Sequence, residues 1–225
     1  MSKFESCIIK EFNSLKSLTR EELMRVSACK TGKIYRKGQI IFEEGETLNG
    51  VYCVRDGVCK LTKLSENGKD QVVKLVVKGD LLGKRSLVSD QKTNLSAVAL
   101  NDMEMCFIPK SEIIDDLSKN PKFTMDVLRE MANDLKESDV SLVNMAQKSV
   151  KRRMAEILMY SHDNFGTDNE GYLSIVLSRE DYASIVGTAT ESAIRILSQF
   201  KKEGLISTTG KRIKIEDYNG LKWIE

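Results

Sequence analysis

Hydrophobic and polar positions change their rhythm three times along the chain. Residues 4–31 carry short stretches with helical spacing, the second opening at Thr19 ahead of Arg20-Glu21-Glu22. Thr19 is a suitable N-cap, and acids in a first turn suit the positive helix end. From Gly32 the pattern shortens to brief β-branched or alternating runs: Gln39–Phe42, Val51–Val54, Val58–Leu64, Gln71–Val77, Ser96–Leu100 and Met103–Ile108. Gly45, Asn49-Gly50, Asp56-Gly57, Asn67-Gly68 and Gly79-Asp80 break them. Many short strands at even spacing predict an antiparallel barrel or sandwich. Asn67-Gly68 has the composition of a tight hairpin turn.

Past Pro109 the pattern turns helical, first over Ser111–Leu117 and then, from Asn120-Pro121, over about Lys122 to Gln147 without Gly or Pro. Leu128, Leu135 and Leu142 recur every seven residues, as do Met131, Ser138 and Met145. The alternating steps of three and four form an a/d seam, which predicts a parallel two-helix coiled coil. Ser138 notches this seam, facing a ligand or fixing register. Packing on its own domain is the other use of such a stripe. A polar run, 147–153, marks a hinge, followed by a helix over Met154–His162, a polar loop over Asp163–Gly171 and an apolar run, Leu173–Leu177.

The last pattern carries the candidate chemistry. Ser178 can cap a short helix bearing Glu180 and Asp181 in its first turn. Ala183 and Gly187, four apart, allow a close helix crossing and a tight turn. Ile185, Val186, Ile194, Leu197 and Phe200 are expected to form the buried side. Glu191 and Arg195, also four apart, share one face of the second helix. There a carboxylate can accept from cytosine and a guanidinium can grip guanine. An intrahelical ion pair is the alternative use of that spacing. The hydroxyls of Thr188, Thr190 and Ser192 suit phosphates. A hairpin around Thr209-Gly210-Lys211 places Lys211 at its tip, beside a phosphate.

Composition narrows the picture modestly. Of 225 residues, 41% are hydrophobic and 30% charged, and the formal net charge is +2. A nucleic-acid partner must therefore be met by a local basic face. The first residues lack a long apolar run, and no window reaches the roughly 18 apolar residues of a spanning helix. Five cysteines (Cys7, Cys29, Cys53, Cys59, Cys106) lack metal-type spacing and read as buried free thiols in a reducing cytoplasm. His162 reads as a solvated helix end. No nucleophile elbow, P-loop, dinucleotide fingerprint or metal cluster is visible, so the chain is not read as an enzyme. A β-domain serving a catalytic segment is the alternative class, but the reading element fills the remaining length.

On these residues the chain resembles the cyclic-AMP receptor protein and fumarate–nitrate-reduction regulator (Crp/Fnr) superfamily over nearly its whole length. The resemblance rests on Lys37-Gly38, Phe42, Glu44-Gly45, Tyr52, Asp56-Gly57, Asn67-Gly68 and Gly79-Asp80-Leu81-Leu82-Gly83. It continues through Ser178-Arg179, Gly187, Glu191, Arg195, Gly204-Leu205-Ile206 and Gly210-Lys211. It implies an α+β chain: an N-terminal β-roll of the cyclic-nucleotide-binding jelly-roll type, a long dimerisation helix and a C-terminal winged helix-turn-helix. The corresponding ranges are 1–118, 119–148 and 149–225. Glu191 and Arg195 would read the inner bases of a palindromic half-site, with Arg179, Ser192 and Lys211 on the DNA backbone. Thr190 stands where the cyclic-AMP receptor branch carries arginine.

The departures concern the effector. After Gly83, cyclic-nucleotide binders carry a glutamate that accepts a ribose hydroxyl, and this chain has Lys84, which only donates. Where the family shows Arg-Ser-Ala, this chain reads Thr93-Asn94-Leu95. Gly83, Lys84, Arg85 and Ser86 can still hold an anion, with Thr93, Asn94 and Ser138 completing the candidate pocket. Cyclic AMP is not expected to bind. The iron–sulfur branch needs a cysteine cluster where only Cys7 and Cys29 stand. An anionic or haem-type effector, or none, remains; control by a cyclic nucleotide or by haem and gas sensing is the alternative. Met131, Met145 or a cysteine would be the haem ligand, although methionines at seam spacing also read as core. The expected partners are double-stranded DNA, a second copy of the chain and RNA polymerase.

Overall fold

The computed structural model describes residues 13–66, 68 and 70–225. Cys7, the first part of the helical stretch 4–31, and Asn67 of the expected hairpin turn lie outside them. The chain forms two compact units: one runs to Leu64 and resumes over Lys74–Glu137, the other comprises Ser65–Val73 and Ser138–Glu225.

Two four-stranded sheets form a jelly roll that makes up most of the first unit, with the start of one strand, residues 70–73, counted in the second. A 3₁₀ turn at Ser14–Ser17 precedes helix α1, Arg20–Cys29. Thr19 and Glu22 close a capping box at the start of α1. Strands β1 (Thr31–Tyr35), β3 (Gly50–Asp56), β6 (Leu81–Leu82) and β8 (Met103–Pro109) pair in the order β1-β8-β3-β6. Strands β2 (Ile40–Phe42), β4 (Cys59–Leu64), β5 (Asp70–Val76) and β7 (Ser96–Ala99) pair as β2-β7-β4-β5.

Side-chain alternation explains why β3 and β8 are apolar on both faces. Tyr52, Val54, Met103 and Met105 point into the cluster shared with Phe42, Ala97 and Ala99. Val51, Cys53, Cys106 and Ile108 face the opposite way, onto Leu15, Val26, Ile113 and Phe123 from the helices. Three of the expected buried thiols, Cys53, Cys59 and Cys106, are indeed interior, and burial pushes the Cys59 thiol up to about 12. Cys29 is exposed, contrary to expectation, because it closes the last turn of α1.

Helix α2 (Lys84–Ser89) follows Gly83, whose φ of 85° is left-handed. Helix α3 spans Lys110–Lys119, and α4 is the 27-residue helix Pro121–Gln147. Asn120 separates them and accepts from the Phe123 amide at 3.0 Å.

In the second unit, α5 (Val150–Phe165) begins on Ser149, which caps it through the Arg152 amide at 3.0 Å. The expected polar hinge over 147–153 is thus mostly helix, and the break is confined to Lys148-Ser149. Its two arginines are consumed by carbonyls. Arg153 donates to Met145 O and Lys148 O, both at 2.8 Å, and to Val186 O at 2.9 Å. Arg152 reaches Lys222 O and Ile224 O at 2.6 and 2.8 Å. Helices α6 (Arg179–Val186) and α7 (Thr190–Lys202), strands β9 (Ile206–Thr209) and β10 (Arg212–Ile215), and α8 (Tyr218–Lys222) complete the chain. Leu173 joins this unit through its amide to Ile213 O at 2.8 Å.

Candidate nucleic-acid interface

Helices α6 and α7 make a helix-turn-helix whose geometry is fixed locally. Ser178 Oγ accepts from the Asp181 amide at 3.0 Å, while Asp181 accepts from the Ser178 amide at 2.9 Å. This reciprocal cap satisfies two amides that would otherwise lack partners. Gly187 ends α6 at φ +65°, and the Thr188 amide then bonds Ala183 O at 3.0 Å. A side chain at Gly187 would be strained there, and its Cβ would meet Met145 Sδ at 3.1 Å. The Ala183–Gly187 spacing therefore serves the turn, as expected, and Met145 from α4 closes over it.

Ala193, Leu197 and Phe200 bury one side of α7 against Tyr182, Ala183 and Val186 of α6. Glu191 and Arg195 stand on the exposed side. Among the described residues neither makes an ion pair, so the intrahelical pair allowed by their spacing does not form. Ile194 was expected in the core but is 45% exposed, because the crossing with α6 takes Ala193 and Leu197 instead. Ala189 is the N-cap of α7 and offers no side-chain bond. The first amides of α7 thus keep their positive end directed outward, which suits a phosphate. Thr188, Thr190 and Ser192 lie half-buried around this start.

The wing pairs β9 with β10, Arg212 opposite Thr209, and leaves Lys211 exposed in the turn. Tyr172 and Thr209 share a hydroxyl bond of 2.8 Å. Arg179 reaches from α6 to Gly210 O at 3.3 Å, and its other terminal nitrogen is buried without a partner. It ties the wing tip to α6 and leaves one donor without a protein partner. Arg212 is neutralised by Asp168 at 2.6 Å and Glu170 at 3.0 Å. Net positive charge on this face therefore comes from Arg195, Lys211 and Arg179, joined by Lys201 and Lys202 in the last turn of α7. His162, at the far end of α5, is half-buried beside Asp163 and the Tyr218 ring.

The other candidate residues fall in two places. On α4, Leu128, Leu135 and Leu142 are 50, 65 and 71% exposed, and Met125, Val140 and Val143 are exposed elsewhere on the same helix. Met131 is drawn partly into its own helical core cluster. Ser138 is exposed on the same helix.

In the first unit, Lys84 Nζ lies 3.0 Å from Asp134 and 3.3 Å from Glu130. Lys74 joins them, 2.8 Å from Asp134 and 3.1 Å from Glu137. Burial acts to raise the Asp134 carboxyl, but the bonds from Lys74 and Lys84 outweigh it and hold that group below the usual carboxylate range. Ser86 is buried and Arg85 exposed on α2. Thr93 turns its hydroxyl onto Leu95, donating to O at 3.0 Å, and Asn94 is exposed. Among the described residues no group of His, Cys, Asp and Glu could hold a metal ion. No described helix is long and apolar enough to cross a membrane.

Known proteins share both halves. Residues 33–120 match the cyclic nucleotide-binding domain family, and residues 152–224 match the Crp-like helix-turn-helix domain family. The anaerobic regulatory protein of Haemophilus influenzae is 30% identical over 224 residues, covering 96% of this chain and 85% of that relative. The fumarate and nitrate reduction regulatory protein of Vibrio cholerae is 31% identical over 188 residues, covering 81% and 74%. The structure of FixK2 from Bradyrhizobium japonicum shares the fold, with a TM-score of 0.75, 23% identity, and coverage of 86% of this chain and 96% of that one. Likeness of this extent, with a reading element built as described, places the chain in the Crp/Fnr family of DNA-binding transcription regulators, whose members are not enzymes.

Proposed function

We propose that the chain works as a homodimer that reads a palindromic DNA site, with 1–118 as effector-sensing β-roll, 119–148 as dimerisation helix and 149–225 as reading domain. The observation that carries this is the outward row Leu128, Leu135 and Leu142 on a helix about 40 Å long. Three leucines at heptad spacing in water are stabilised by a second helix of the same kind, with Met131, Met145 and the Ser138 notch flanking the seam. Two-fold pairing there sets two copies of α7 into successive major grooves, about 34 Å apart. Glu191 and Arg195 read base edges. Thr188, Thr190, Ser192, Arg179 and Lys211 hold phosphates and fix register without carrying sequence information. RNA polymerase is the further partner at the promoter. Selection of bound sequences from a random duplex pool tests the reading: an inverted repeat with centres one helical turn apart is expected, and enrichment of a single unrepeated motif would overturn it.

The effector side follows from Lys84. A group that only donates stands at the start of α2, and two carboxylates of α4 already hold it. The candidate effector residues Gly83, Lys84, Arg85, Ser86, Thr93 and Asn94, with Ser138 as a further candidate, are therefore assigned to an anion other than cyclic AMP, or to no ligand. Losing one charge-assisted hydrogen bond costs about 1.5–3 kcal/mol, and two contacts differ from those of cyclic-nucleotide binders. Isothermal titration with cyclic AMP should give no heat above dilution; a micromolar Kd would show that the ion pairs open for a nucleotide.

A further inference from the structure

Eight of the nine methionines lie among the described residues, and they differ in how far solvent reaches them. Met103, Met105 and Met154 are at most 1% exposed, and Met131 and Met159 are half-buried. Met24, Met125 and Met145 are 57, 48 and 38% exposed. Met24 and Met125 belong to the first unit, whereas Met145 belongs to the second, with the reading element. Met145 stands about 60° round α4 from Leu142. Its Sδ and Cε lie 3.1 and 3.6 Å from where a Cβ on Gly187 would stand, so the thioether covers the turn between α6 and α7. The backbone groups at that contact already have partners. The Gly187 amide bonds to Ala183 O and Ser184 O, the Thr188 amide to Ala183 O at 3.0 Å, and Val186 O accepts from Arg153 at 2.9 Å. Arg153 also donates to Met145 O at 2.8 Å, which fixes where the side chain starts. The turn is thus suited to a thioether, which asks for no hydrogen bond.

We propose that Met145 is an oxidation site through which a hydroperoxide weakens DNA binding. This rests on the assignment of α7 as the base-reading helix. The sulfur lone pair takes one oxygen atom from the peroxide: an S–O bond forms, the O–O bond breaks, the sulfur gives up two electrons and hydrogen peroxide leaves as water. The product is a polar sulfoxide in place of a flexible apolar group. Its oxygen either turns to water, uncovering Gly187, or takes an amide from Ala183 O, opening the turn. Either movement shifts α7 against α6, and a binding constellation tolerates little misplacement. Reduction of the sulfoxide returns the thioether, so the change is reversible.

The test treats the full-length protein with hydrogen peroxide and then with dithiothreitol, which reverses disulfides and sulfenic acids and leaves sulfoxides in place. Peptide mass mapping should find one added oxygen on Met145, as on the exposed Met24 and Met125, and none on Met103, Met105 and Met154. Affinity for the selected site should fall about fivefold, the worth of one backbone hydrogen bond, and hydrogen exchange at the Gly187 and Thr188 amides should quicken by about the same factor. Methionine sulfoxide reductases should restore both. Met145→Leu, compared with its own untreated sample, should lose nothing on oxidation. Met24→Leu/Met125→Leu keeps Met145 and should respond to peroxide as the parent does, which decides the matter if Met145→Leu folds poorly. The proposal fails if Met145 gains no oxygen, if oxygen there leaves affinity and exchange unchanged, if Met145→Leu still responds, or if Met24→Leu/Met125→Leu does not. A protein that selects no site before oxidation refutes α7 as reader instead, and the exchange rates then decide the role of Met145.

Discussion

Leu135→Lys is expected to convert the protein from dimer to monomer and to lower affinity for a full palindrome by about 10²–10⁴-fold. Leu135 is 65% exposed within its own chain, so the substitution removes little from either core. In a paired helix the same site lies in the centre of the seam, where two lysines would face each other out of water. In the proposed dimer the loss on DNA exceeds one contact, because two linked reading heads would bind the second half-site as an intramolecular step, an advantage of that order. Sedimentation velocity reads the first effect and titration with whole and half palindromes the second. A variant that sediments as a dimer would refute the seam. A true monomer with undiminished affinity would refute the need for two reading heads.

Arg195→Ala should cost about 1–3 kcal/mol at each half-site and relax discrimination at one guanine. The guanidinium stands on the open side of α7 without an ion pair, so its removal leaves no buried partner behind and the fold intact. The phosphate contacts proposed for Lys211, Arg179 and the start of α7 would remain, so non-specific binding and its salt dependence should change little. Competition between the selected site and variants at the guanine position separates the two quantities. Unchanged preference at every position would sink the role of Arg195.

Much of the reading element was legible in the chain because its rules are local. Ser178, Asp181 and Gly187 act on their own backbone within a few residues, and that is where sequence is most informative. Ile194 was misplaced for the opposite reason. Two adjacent apolar residues, Ala193 and Ile194, can each face a partner helix, and only the crossing angle chooses Ala193. The start of α5 failed similarly: Val150-Lys151-Arg152-Arg153 reads as a solvated run until the carbonyls of Met145, Val186 and Ile224 are brought to it. Strand β1 escaped notice because Thr31–Tyr35 includes Gly32 and has little burial to impose alternation. Six-residue α2 was hidden because it is shorter than two helical turns.

The paired Lys84 has a consequence best stated as competition. Glu130 and Asp134 belong to the same molecule as the lysine, so they present it with carboxylates at an effective concentration of about millimolar or higher. A diffusing anion at micromolar level meets a cation already occupied, and prevails only if its other contacts are roughly a thousandfold better than those of the tethered acids. Small metabolites that carry charge and little else are thereby filtered out. An effector at the proposed site would have to bring shape as well as charge, or arrive in the abundance of a major cellular ion.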